Sequence, residues 1–183
     1  EMQARLLRVY YYNILWHYYG NVPFYLENLS EPYTAPQLSA DEIYNKLLPE
    51  LEEIIASNVL PMRWETAESG RVSQAMAYML FAEMVMYQND AARYPTALSY
   101  MKQIISDSQY TLNPDFKDLF DESGEWCAES IFEINYEDDN GQRDWGTPLH
   151  AGGTVFPTLC SPNGWAGGEG WDSGNDGWGF LPM

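Results

Sequence analysis

Apolar side chains recur at helical spacing in four stretches before residue 110, each bounded by its own start or stop signal. Over 2–19, Leu6, Val9, Tyr10, Asn13, Ile14, Trp16 and Tyr18 wrap most of a helical circumference, which predicts a largely buried first helix. Gly20 stops it, and Asn21-Val22-Pro23 turns the chain away. Residues 24–38 contain Pro32 and Pro36 and read as an extended connector. Ser39-Ala40-Asp41-Glu42 is a capping box, in which hydroxyl and carboxylate satisfy backbone N–H groups left free at a helix start. The apolar stripe that follows is Ile43, Leu47, Leu51, Ile54 and Ile55. Pro49 lies inside it, removes one backbone hydrogen bond and predicts a kink.

A third helix is expected from about Val72 to Gln88. Ala75, Ala77 and Ala82 admit a close neighbour, and Met76, Met79, Leu80, Met84 and Tyr87 fill the space around them as core. A fourth begins near Tyr94 with Pro95 in its first turn, and Ala97, Leu98, Met101, Ile104 and Ile105 form its inner face. Helices three and four together span about one tetratricopeptide-like hairpin, a repeat of ~34 residues. The helices at 2–19 and 40–57 form a preceding hairpin with a longer loop. After Tyr110 the periodicity ends. Phe116 to Phe120 reads as a short helix, and the alternation of Phe132, Ile134 and Tyr136 predicts a strand over 130–136. The fold class expected is mostly α: a tetratricopeptide-like superhelix over 1–136, packed against an irregular region, 137–183, of the same domain. That last stretch holds eleven of the 14 glycines and four of the seven tryptophans.

Composition narrows the function. Nine Lys+Arg against 27 Asp+Glu give a formal net charge of −18, which repels phosphate backbones and anionic lipid and excludes nucleic acid as a partner. Tyr and Trp, 14 and 7 in number, offer flat apolar faces with a polar handle, the surface that sugars fit. Cys127 and Cys160 match no metal spacing; they pair in an oxidising compartment or stand as two free thiols. No apolar run approaches the ~20 residues of a membrane helix. The chain opens inside a helical pattern and ends at Phe180-Leu181-Pro182-Met183 with no cap, so it reads as a piece of a longer protein.

Five segments then occur in a telling order: Arg8 to Tyr18, Tyr19-Gly20-Asn21-Val22-Pro23, Asp41-Glu42-Ile43-Tyr44, Gly70-Arg71-Val72 and Glu129-Ser130-Ile131-Phe132-Glu133-Ile134. In that order, over 1–136, the chain resembles the SusD/RagB family of nutrient-binding outer-membrane lipoproteins. The resemblance implies a tetratricopeptide-like α-superhelix, no catalysis and no cofactor. It implies capture of oligosaccharides or other nutrients at the cell surface, a lipid anchor outside this chain, and a SusC/RagA-like TonB-dependent transporter as partner.

Sugar capture needs rings that stack on pyranose faces and polar groups that bond hydroxyls. Trp145, Trp165, Trp171 and Trp178 are the candidate rings; Asn140, Arg143, Asp144 and Asp176 are the candidate polar ligands, with Gln142, Asn163, Asp172 and Asn175 among them. Each Trp has an alternative use as the anchor of its own loop. The stretch Asp172 to Gly177 fails the calcium-loop pattern, because Gly174 and Met183 stand where oxygen ligands are needed, so no metal is assigned and a looser calcium loop stays open. His17 and His150 are isolated, His17 reading as a packed helix residue. Glu83, among apolar neighbours, reads as a helix-edge carboxylate beside a tyrosine. A hydrolase would draw its carboxylates from Glu125, Glu129, Glu133, Asp138 or Asp139. The leading expectation is a non-catalytic binding protein; the runner-up is a tetratricopeptide-type interaction module, and a glycoside hydrolase fragment comes third.

Overall fold

The computed structural model describes residues 1–120 and 122–135. The chain divides into two compact units, Glu1–Glu133 and Ile134–Met183. The first is helical and is built from α1 (Met2–Tyr19), α2 (Ala40–Ala56), α3 (Gln74–Tyr87) and α4 (Tyr94–Ser106). Each helix packs mainly on its neighbour in the chain, α1 on α2, α2 on α3 and α3 on α4, which is the hairpin order the periodicity predicts.

Each boundary has a local cause. Gly20 ends α1 in a left-handed conformation, φ 66°, that a side chain would resist, and its N–H bonds the Trp16 carbonyl. Val22–Pro23 (β1) then pairs antiparallel with Gln37–Leu38 (β2), Val22 opposite Leu38. The connector between them is anchored at Tyr25, whose N–H and carbonyl both bond the Tyr12 hydroxyl. At α2 the capping box forms: Ser39 Oγ accepts the Glu42 N–H while Glu42 accepts the Ser39 N–H at 2.8 Å. The helix runs unbroken through Pro49, which sits on its exposed side. Ser73 caps α3, and Gln74 ties that helix to α2 by donating from Nε2 to the Ile55 carbonyl at 3.1 Å.

The core runs through the middle of these helices. Leu6, Val9 and Trp16 of α1, Ile43, Leu47, Leu51 and Ile54 of α2, and Ala77, Phe81 and Met84 of α3 are all buried. Burying a large apolar side chain stabilises a fold by about 1.5–3 kcal/mol, so this cluster is the main support of the unit. Tyr100 of α4 stacks on Tyr78 with ring centroids 4.4 Å apart and meets Phe81 edge-on. Charge crosses between helices too: Arg5 bonds Glu50 and Glu53 at 3.0 and 2.7 Å, and Arg8 shares Glu50. Between α2 and the turn before α4, the Tyr44 hydroxyl donates to Asp90, which also receives Arg93 at 2.6 Å.

Several expectations change. Tyr18, Met79, Tyr87, Leu98 and Ile105 are exposed rather than core, Ile105 by 80%. Tyr18, Leu98 and Ile105 belong to α1 and α4, the outer members of the row, whose second apolar stripe has no neighbour among the described elements of this unit; Met79 of α3 faces an open concavity beside α1, and Tyr87 of α3 keeps only its contacts with the Trp16 and His17 rings. The strand expected over 130–136 is absent in its described part, 130–135. A strand needs a ladder partner, and among the described residues this segment has none: Ile134 is exposed, and Ser130 donates back to the Cys127 carbonyl in a turn.

Candidate functional site

The residues singled out as ligand contacts, Asn140, Arg143, Asp144, Trp145, Trp165, Trp171, Asp176 and Trp178, lie outside the described residues, as do His150 and Cys160. What the structure does describe is the helical unit and the segment that leads from it towards them.

That segment, 126–133, is fastened by side chains from both sides. Arg63, in the loop after α2, donates to four carbonyls: Gln109 at 3.3 Å, Trp126 at 2.9 Å, Cys127 at 2.7 Å and Ala128 at 3.1 Å. Its guanidinium also lies 5.1 Å from the centre of the Tyr110 ring. Burial pushes the Tyr110 hydroxyl above its ordinary pKa, so it remains a donor, and it bonds the Met62 carbonyl at 2.9 Å. On the amide side, Glu133 accepts the Trp126 N–H at 3.0 Å and Glu129 accepts the Asn113 N–H at 2.7 Å. Two of the carboxylates considered for hydrolysis are thus engaged in holding backbone. Cys127 is a half-buried free thiol whose carbonyl serves Arg63.

Gly70-Arg71-Val72 packs under this segment. Gly70 has φ 91° and faces the Trp126 ring, which a Cβ there would touch at 3.4 Å. Arg71 covers the Trp64 ring, and Trp64 Nε1 bonds the Val72 carbonyl at 2.9 Å. Between Arg63, Ser73, Tyr110 and Trp126 remains a cavity of about 20 Å³, the space of one water.

A second concavity, about 210 Å³, opens between α1 and α3 and is lined by Tyr10, Met76, Met79, Leu80, Glu83 and Phe132. Tyr10 and Phe132 meet edge-to-face at 5.7 Å. Glu83 is not bonded to a tyrosine as expected: its Oε1 accepts the Asn13 amide at 3.2 Å and lies 3.4 Å from His17 Nδ1. His17 does pack, its ring 3.9 Å from that of Tyr87. Asn13 is 2% exposed, and neither its Oδ1 nor His17 Nε2 makes a hydrogen bond. Among the described residues no three His, Cys, Asp or Glu side chains are grouped to hold a metal ion, and no helix is long and apolar enough to cross a membrane. Sequence reasoning missed Arg63, because a lone arginine after Leu60-Pro61 carries no signal until the fold brings 109 and 126–128 around it.

No family model matches the chain. SusD-like protein P25 of Formosa agariphila is 25% identical to it over 168 residues, covering 89% of this chain and 30% of that protein. Among solved structures, surface glycan-binding protein A from Bacteroides uniformis is 57% identical over 100% of this chain and 37% of its own, with a TM-score of 0.85. Surface glycan-binding protein A from Bacteroides thetaiotaomicron, solved in complex with laminarihexaose, is 55% identical over the same shares, with a TM-score of 0.87. The chain therefore spans about a third of the length of these relatives.

Proposed function

We propose, for a chain that belongs to the SusD-like family, the non-catalytic capture of an oligosaccharide at the cell surface. The observation that carries this reading is identity above half, along the whole chain, to two surface glycan-binding proteins, one of them holding laminarihexaose. The physics agrees with it. A stiff row of helices limits the entropy lost when loops close on a ligand. The glycine-rich stretch after 136 supplies four tryptophans for stacking on sugar faces, and Asn140, Arg143, Asp144 and Asp176 for hydroxyls. A glycan of the laminarin type is the first ligand to try. Capture at an outer membrane, from a lipid-anchored position, with delivery to a SusC/RagA-like TonB-dependent transporter completes the proposal, and it requires neither a metal nor a bond-breaking step.

A labelled glycan panel tests it. Retention of at least one glycan, without shortening, supports capture. Shortened products support a hydrolase. No retention at all leaves the helical unit as an interaction module, whose candidate surface is the concavity between α1 and α3. Replacing Trp145, Trp165, Trp171 and Trp178 together by alanine is expected to abolish retention while helical content persists. Unchanged retention removes those rings from the account.

A further inference from the structure

We infer that Arg63 is a positioning residue for ligand capture, holding the segment from which the tryptophan-rich stretch continues; this rests on the capture reading above. Four carbonyl oxygens, from Gln109, Trp126, Cys127 and Ala128, converge on one guanidinium at 2.7–3.3 Å. Converging carbonyl dipoles repel one another unless a cation stands among them, so the backbone path of 126–128 depends on that charge. The path is also one the chain would not choose alone. Trp126 has φ 54°, in the left-handed region that a non-glycine residue enters at a cost, and it is kept there by Arg63 on its carbonyl and Glu133 on its N–H.

The chemistry needed is that of arginine in particular. Two donors on each terminal nitrogen, fixed in one plane, reach four acceptors at once, and the same plane lies over the Tyr110 ring. A lysine ammonium has three donors on a flexible stem and cannot span Gln109 and Trp126 together. The clasp also seals to the helical half through a bond independent of Arg63, Thr111 N–H to the Ala128 carbonyl at 3.1 Å. Losing Arg63 should therefore loosen 126–133 without melting the helices. From Ile134 the chain passes directly into the stretch that holds every candidate ligand residue. A slack root widens the range of directions in which the chain leaves it, and affinity falls because fixing that root is charged to binding.

The test compares Arg63→Lys and Glu133→Ala with the parent chain for laminarihexaose affinity and for amide hydrogen exchange, well below the melting temperature. Both variants are expected to lose about tenfold in affinity, about 1.4 kcal/mol, with faster exchange confined to 126–133. A control with a shaved core, Ile104→Val in α4, lowers stability but should keep parental affinity, which separates positioning from general weakening. Either tie is cut independently, so a failure of Arg63→Lys to fold leaves Glu133→Ala to decide. Variants that bind within about twofold of the parent while 126–133 exchanges faster overturn the inference alone. A parent chain that binds no glycan in the panel overturns the capture reading and this inference with it.

Discussion

Asn13 offers a test of the energetics in which the intuitive answer is wrong. Its side chain is buried between α1 and α3, donates one bond of 3.2 Å to Glu83, and leaves Oδ1 without a partner. The perturbation is Asn13→Leu, which keeps the number and branching of the heavy atoms while its two methyl groups take more room than the amide. What is lost is a single bond to a carboxylate whose side chain is 54% exposed and which water can resolvate, so the loss is about 1 kcal/mol. What is gained is removal of a buried orphan carbonyl, a penalty of about 1–3 kcal/mol. Before the cost of seating the larger side chain, the balance favours the variant by about 0–2 kcal/mol, a rise of about 3 °C in Tm for each kcal/mol at this size. Asn13→Ala, which trades the orphan for a cavity beside Trp16, should instead destabilise by about 1–2 kcal/mol. Urea unfolding followed by far-ultraviolet circular dichroism measures both. Loss of more than about 1 kcal/mol in Asn13→Leu, the typical net value of one hydrogen bond, would mean that Oδ1 is satisfied and the reasoning fails.

Two further perturbations probe the rest of the unit. Asp90 is held below its ordinary pKa by the Tyr44 hydroxyl and then by Arg93, so its contribution is full above the unfolded aspartate value of ~3.9 and disappears as pH falls through the lowered folded value. The stability gap between the parent and Asp90→Asn should therefore narrow on acidification below about pH 4, and a gap independent of pH would contradict the assignment. Ser39→Ala removes the hydroxyl half of the capping box and should cost about 1 kcal/mol of unfolding free energy, with an unchanged midpoint counting against the cap.

The helical half was legible because its signals are local. Gly20, the Ser39–Glu42 box and Pro95 mark ends that depend only on a few adjacent residues, and α1, α2 and α4 begin and end within a residue or two of the places those signals predict. Which stripe of a helix is buried is not local. Tyr18, Leu98 and Ile105 have the right spacing for a core, yet α1 and α4 end the row, and apolar spacing cannot state how many neighbours a helix has. The alternation over 130–136 gives no strand in its described part, 130–135, for a similar reason: period two marks a strand only where another edge pairs with it, and no edge among the described residues does. Arg63 was invisible because its four acceptors are backbone carbonyls, which every residue carries alike, and they come from positions 46 to 65 residues away. The candidate aromatic platform rests on composition and resemblance, and its rings lie beyond the described residues.

The most direct test of the central claim is calorimetric titration of the 183-residue chain with laminarihexaose, followed by chromatography of the recovered sugar. Saturable heat with the hexaose returned intact is the result predicted for capture without turnover. Absence of any binding heat, or recovery of shorter sugars, would contradict it.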